Sequence, residues 1–366
     1  MNRDHFPMRR SIPIAILLTI VSSLPFRSEA QTFPFQQERL ISGIYSPVSM
    51  AFLPGDQALI ITLDGHILIT SPLSQRPVTT SLYMQLTNIC NTGEHGLLEI
   101  LLDPQFNINH YYYLFYSTLA FKSRVSRFVY TGSASDLSSE QVLWETTTSF
   151  SDCCHVGGAF VFANDGTLLL GIGDDFDPIK AQDVTSDYGK VHRFNSDGSI
   201  PADDPYYDTT PGDLNANGVH KTVYAYGIRN PFRGSYDGPT GRMIFGMVGG
   251  NDQDLAWEDI RLNAAGVNHG WPFCGDGGRD STGQCNDPQY ADPIFSYPHA
   301  GSGAAVTGGC VYRGNLFPPQ WQGRYFYGDY VRGWIRSLTL DNSNNVLGDS
   351  AFVDSASLGG GRPPRW

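Results

Sequence analysis

Residues 149–175 read SFSDCCHVGGAFVFANDGTLLLGIGDD. The stretch opens on His155 beside a glycine pair, runs two apolar segments around an Asp-Gly turn signal, and closes on Asp174 and Asp175. Two runs of strand length separated by Asp-Gly predict a β-hairpin. A hairpin goes out and returns, so its two ends share one edge. The spacing therefore predicts that His155 and Asp174 lie side by side.

Similar units recur along the chain. MAFLPGDQALIITLDGHILIT covers 50–70, LLEILLDPQFNINHYYYLFYST 97–118, GAFVFANDGTLLLGIGDD 158–175, FRGSYDGPTGRMIFGMVGG 232–250 and VYRGNLFPPQWQGRYFYGDY 311–330. In each, an apolar run leads through a Gly- or Pro-marked turn into a second one. The last three are followed by further strand-like runs, GKVHRFN, WEDIRLN and GWIRSLTLD. Such recurrence is the signature of a β-propeller. The expected fold is all-β, a propeller of six-bladed type in which five blades are clear and the last is incomplete. A sandwich of hairpins is the alternative, and helical runs are too few for a Rossmann fold or an α/β barrel. Residues 33–44 are expected to supply an outer strand to the last blade. The terminal LGGGRPPRW reads as a Gly/Pro-rich tail.

The formal net charge of −12 argues against a nucleic-acid partner, which requires a basic face. It does not exclude calcium, which binds carboxylates and carbonyls. Charged residues are only 16% against 41% hydrophobic, which argues for a packed chain rather than disorder. Residues 1–30 read as a signal peptide. Arg9 and Arg10 precede an apolar run, and Ser28-Glu29-Ala30 forms a small-residue cleavage site. A membrane anchor is the alternative, but Pro25 breaks a run already shorter than the ~20 residues of a span. Export makes the six cysteines readable as disulfides. Cys274 and Cys285 flank a Gly-rich loop and suit a local bridge. Cys153 and Cys154 are adjacent, so one of them is expected to pair elsewhere, with Cys90 the candidate, and Cys310 is expected to be buried and unpaired. Phosphate-loop, dinucleotide-fingerprint, zinc-spacing and nucleophile-elbow patterns are absent from the sequence.

Several ordered motifs resemble the soluble pyrroloquinoline quinone (PQQ)-dependent glucose/sorbosone dehydrogenases, whose propeller is shared by hedgehog-interacting-protein-like ectodomains. They are GEHGLLEILLDPQF, HVGGAFVFANDGTLLLGIGD, GKVHRFNSDGSIPADDPY, VYAYGIRNPFRGSYDGPTGRM, WEDIRLNAAGVNHGWP and VTGGCVYRG with GRYFYGDYVRGWIRSL. Together they place the resemblance over about 46–340, with residues 31–366 forming the mature propeller chain. The resemblance implies PQQ and calcium in a central top pocket. It implies a small sugar or alcohol substrate and an external electron acceptor.

In that family the histidine heading this hairpin is a general base, and His155 stands in its place. Imidazole suits the task because it ordinarily titrates near neutrality. Asp174 matches the carboxylate that orients the base, and Arg229 the arginine that stabilises developing negative charge. Glu94, Asn230 and Arg332 fall at cofactor-contacting positions. The carbonyls of Gly249 and Gly250 fall near the calcium that bridges PQQ. Asp259 and the backbone carbonyl of His269 fall at a separate structural calcium. Taken without the resemblance, each of these residues also has a plain reading as a satisfied loop, turn or strand-end group.

The chain departs from the family pattern at Cys154, where an aspartate precedes the base, and at Val331, where a lysine reaches the cofactor. Of the late arginines that clamp the cofactor carboxylates, only Arg362 and Arg365 remain, in the tail. At about 1.5–3 kcal/mol per charged hydrogen bond, two lost contacts weaken binding more than roughly a hundredfold. These departures support a second reading, a non-catalytic extracellular propeller that binds a protein or glycan.

Overall fold

Three consecutive leucines, Leu168–Leu170, lie in one strand, Thr167–Ile172, every residue of which is buried. Successive side chains of a strand point to opposite faces. Leu168 and Leu170 accordingly pack towards Phe115, Val125 and Trp144 on one side, while Leu169 packs towards Met243 and Phe245 on the other. The strand belongs to a sheet covered on both faces by neighbouring sheets, which is why its sequence is a continuous apolar run rather than an alternating one. Full burial of each leucine contributes about 1.5–3 kcal/mol.

The computed structural model describes Phe35 and residues 38–132, 137–151, 154–274, 285 and 287–354. The chain divides into two compact units, Met1–Arg39 and Leu40–Trp366. In the first, the described residues Phe35, Glu38 and Arg39 carry no regular structure. The signal-peptide reading of 1–30, and Cys153, Arg362 and Arg365, lie outside the described residues.

The second unit is an all-β propeller of five four-stranded antiparallel sheets, each running in chain order. Blade one comprises Pro47–Leu53, Gln57–Thr62, His66–Thr70 and Thr80–Gln85. Blade two comprises Leu97–Leu102, Tyr111–Ser117, Ser123–Val129 and Gln141–Glu145. Blade three comprises Ala159–Phe162, Thr167–Ile172, Lys190–Asn195 and Val223–Tyr226. Blade four comprises Pro231–Asp237, Arg242–Met247, Trp257–Asn263 and Phe295–Pro298. Blade five comprises Val306–Val311, Tyr325–Asp329, Trp334–Leu340 and Val346–Val353. The four hydrophobic clusters each sit between two consecutive blades. Among the described residues there are five blades, not six, and the fifth is complete. Its outer strand comes from Val346–Val353 rather than from 33–44, where the described residues form no strand.

The first strands of consecutive blades pack against one another around the axis. Arg233 of blade four crosses this centre. Its Nε lies 3.2 Å from Glu99 Oε2 of blade two, and its Nη2 donates to the carbonyls of Val48 in blade one (3.2 Å) and Leu98 in blade two (2.9 Å). Ser49 of blade one also donates to Glu99. Blade three makes room: a Cβ on Gly158 would lie 2.6 Å from Arg233 Nη1. Burial pushes the Glu99 carboxyl up, and the Arg233 charge opposes that shift.

Asp204, in the loop that follows Lys190–Asn195, is 5% exposed and accepts from Arg193 Nη1 at 2.9 Å. Burial pushes it up to about 7, against the pull of that guanidinium. The local disulfide Cys274–Cys285 is present. Cys90 is buried but unpaired, so it is not the partner of Cys154, whose disulfide partner lies outside the described residues. Cys310 is unpaired as expected, but exposed rather than buried.

Candidate active site

The hairpin of blade three brings its two ends together. His155 Nδ1 lies 2.6 Å from Asp174 Oδ1, with the histidine 7% and the aspartate 0% exposed. Ionised carboxylate accepts only, so the imidazole proton sits on Nδ1 and leaves Nε2 as the lone pair. Nε2 bonds to none of the described residues. The turn that achieves this is tight. A Cβ on Gly173 would lie 2.0 Å from the His155 carbonyl oxygen, so only glycine fits there. His155, Asp175 and Phe176 hold left-handed backbones, with φ of 59°, 56° and 58°. Such conformations cost about 1–3 kcal/mol each and gather where surrounding contacts impose them.

Those contacts are visible. Asp175 accepts from the Ser151 backbone N–H and hydroxyl and from Lys180 Nζ at 2.6 Å, fastening the segment before His155. Asp174 Oδ1 also accepts from Phe176 N–H at 3.1 Å, and its Oδ2 accepts from Trp271 Nε1 at 2.8 Å. Trp271 was not singled out in the sequence, although it lies in the GWP end of a quoted motif. The helix Pro178–Gln182 sends Gln182 to the Trp271 carbonyl at 2.6 Å. Beneath it, fully buried Lys190 donates to the carbonyls of Lys180, Ala181 and Tyr188. Burial pushes Lys190 down to about 7, opposed by Asp183, Asp187 and Asp174.

The link between blades three and four supplies the cation. The Asp174 backbone N–H donates to the Arg229 carbonyl at 2.8 Å. The Arg229 side chain, 3% exposed, lies 5.4 Å from the Trp271 ring centre, within cation–π range. It donates to the Val248 carbonyl (3.2 Å) and to Asn251 Oδ1 (2.8 Å), which sets it beside the Gly249–Gly250 turn. Asn230 accepts from Gly157 N–H at 3.0 Å and donates to Glu94 Oε2 at 3.3 Å. Glu94, an exposed residue, also accepts from the His155 backbone N–H at 2.8 Å. His155, Asp174, Arg229, Asn230 and Glu94 thus form one connected group. His95, the neighbour of Glu94, is 2% exposed, stacked 3.7 Å from Phe150 and bonded to Ser117.

Other expected site residues stand apart. Arg332 donates from Nη2 to the carbonyls of Pro298 (2.6 Å) and His299 (2.8 Å) and from Nε to that of Gly303 (3.2 Å). Its neighbour Val331 is 51% exposed. Gly249 donates its N–H to Glu258 Oε1 at 3.3 Å. Glu258, 0% exposed, also takes His299 Nε2 at 2.7 Å and Val306 N–H at 2.8 Å. Asp259 and the His269 carbonyl, expected at a structural calcium, both accept from Arg261. The His269 ring is buried without a polar partner, and burial with the Arg261 charge holds it well below the usual imidazole range. Among the described residues, no group of three or more His, Cys, Asp or Glu side chains is arranged to hold a metal. Cavities of about 220 and 230 Å³ lie elsewhere, one lined by Arg193, Tyr224 and Tyr236 and the other by Trp144 and His220.

The connected group can take a proton at Nε2, hold the resulting imidazolium against Asp174, and stabilise negative charge near Arg229. A family model described as Glucose / Sorbosone dehydrogenase matches residues 44–358. The chain is 30% identical over 336 residues to an uncharacterized protein of Synechocystis, covering 86% of this chain and 77% of that protein. It is 27% identical over 304 residues to the aldose sugar dehydrogenase YliI of Escherichia coli, covering 77% and 74%. The PQQ-bound aldose sugar dehydrogenase of Streptomyces coelicolor shares the fold, with a TM-score of 0.70 at 21% identity over 87% of this chain and 84% of that one.

Proposed function

Because the chain belongs to the glucose/sorbosone dehydrogenase family, we propose that it is an exported, PQQ- and calcium-dependent oxidoreductase acting on the C1 hydroxyl of an aldose or similar alcohol. Family membership supports oxidoreductase chemistry on a small sugar. The observation that carries the reading is the buried 2.6 Å His155–Asp174 bond, which leaves Nε2 as a proton acceptor. The signal-peptide reading and the Cys274–Cys285 disulfide support export.

The donor set fits the quinone end of such a cofactor. Arg229 brings a buried cation, Asn230 an amide, and the Gly249–Gly250 turn hard backbone oxygens suited to calcium. It fits a carboxylate clamp less well, because the Nε and Nη2 donors of Arg332 go to three carbonyls and leave Nη1 for a cofactor carboxylate. When bound, PQQ supplies the quinone that accepts hydride, and calcium polarises it. The rest falls to the chain. His155 Nε2 takes the hydroxyl proton, Asp174 keeps the imidazole in the right tautomer and balances the imidazolium, and Arg229 offsets charge developing on oxygen.

Trp271 positions the dyad by tying down the second oxygen of Asp174. Trp271→Phe keeps a ring beside Arg229 and removes the donor. Turnover is expected to fall roughly tenfold with KM little changed, since a charge-assisted bond contributes about 1.5–3 kcal/mol. Steady-state kinetics with an artificial acceptor check this, and an unchanged kcat means that Asp174 holds its orientation unaided.

The reading itself is tested by titration calorimetry of PQQ against the purified chain, with and without calcium. Calcium-dependent binding is expected, weakened roughly tenfold or more in Arg229→Ala. No binding by about 100 µM PQQ to folded protein overturns the enzyme reading. The capture of Arg332 and the exposure of Val331 would then favour a non-catalytic propeller that binds a protein or glycan.

A further inference from the structure

Arg261 is 1% exposed, in the third strand of blade four. Its Nη2 and Nε donate to Asp259 Oδ2 at 2.7 and 3.2 Å. Its Nη1 donates to the backbone carbonyls of His269 and Ala291, both at 2.9 Å. Ser296 donates its hydroxyl to the other Asp259 oxygen at 2.7 Å. The guanidinium therefore sits in an all-oxygen socket of one buried carboxylate and two backbone carbonyls. Carboxylate and carbonyl oxygens around one positive charge are the ligand chemistry of calcium. The socket joins the strand to two loop segments, at His269 and Ala291, and Trp271 follows His269 by two residues on its way to Asp174.

We propose that Arg261 is a built-in substitute for a divalent cation, filling a calcium-type socket so that the loop carrying Trp271 is anchored without metal. A buried carboxylate needs a positive partner, and the carbonyls need donors or a cation. The guanidinium meets both needs from within the chain. Taking it away leaves the same oxygens facing a space that a hydrated divalent ion can enter.

The test is thermal unfolding of the full chain and of Arg261→Ala, each in excess EDTA and in millimolar calcium. It needs neither PQQ nor substrate, so its failure leaves the dehydrogenase reading standing. Calcium bound elsewhere is cancelled by comparing each variant's calcium shift with that of the wild type. Arg261→Ala is expected to melt more than about 5 °C lower in EDTA. Calcium is expected to recover at least half of that loss, beyond any shift it causes in the wild type. Arg261→Lys, which keeps a cation, is expected to show no extra calcium response. A calcium shift no larger in Arg261→Ala than in the wild type overturns the proposal, as does an Arg261→Ala midpoint equal to that of the wild type. Should Arg261→Ala fail to fold, Arg261→Asn is refolded with and without calcium. Folding only with calcium supports the proposal, and the absence of calcium dependence overturns it.

Discussion

His155→Ala is expected to lower turnover by about 10²–10⁴-fold while leaving calcium-dependent PQQ binding in place. The expected size follows from the proposed role: without Nε2, the substrate hydroxyl would lose its proton to water, while Arg229 remains. The His155 backbone N–H still donates to Glu94 in the variant, so the loop keeps its path. Measured with saturating PQQ and an artificial acceptor, the loss should appear in kcat rather than in cofactor affinity. A fall smaller than roughly tenfold would mean that another group accepts the proton. Glu94, bonded to the same loop, would be the first to test.

Glu258→Ala is expected to have the largest effect on stability, a loss of about 3–5 kcal/mol. One fully buried carboxylate serves three groups there: His299 Nε2, the Val306 N–H at the start of blade five, and the Gly249 N–H next to Val248. Removing it strands buried donors in a place water does not reach. Urea unfolding of variant and wild type measures the loss, and a change below about 1 kcal/mol would show that the three donors find other acceptors. Because Gly249 is one of them, PQQ affinity should weaken in the surviving folded protein.

Local features of the chain were legible because they depend on neighbours in sequence. The turn at Asn164–Gly166 and the unbroken leucines after it define the central strands of blade three, and the same grammar repeats in the other blades. The proximity of His155 and Asp174 follows from hairpin geometry alone. What was not legible depends on how distant segments meet. Trp271 reaches Asp174 across 97 residues, and His299 reaches Glu258 across 41. No periodicity encodes those meetings: the first depends on how the loop after Trp257–Asn263 lies against blade three, the second on the pairing of Trp257–Asn263 with Phe295–Pro298 within blade four. The origin of the outer strand of blade five was misjudged for a related reason. Val346–Val353 carries only intermediate and exposed side chains, so it lacks the apolar signal that marks the inner strands. Arg332 shows a different limit: its charge is evident in sequence, but its bonds to three backbone carbonyls are not. Arg261 could have been paired with Asp259 from sequence, because residues two apart in a strand share a face.

Modules that touch only their neighbours can come apart one at a time. The axial Arg233 works against that here. It joins a carbonyl of the first blade to a strand of the fourth, 185 residues later, and holds Glu99 of the second blade as well. Fraying blade one would leave that carbonyl, and the Ser49 contact to Glu99, without their partners. Loss of one outer repeat is thereby coupled to the middle of the chain, so the ring should melt in a single concerted transition rather than blade by blade.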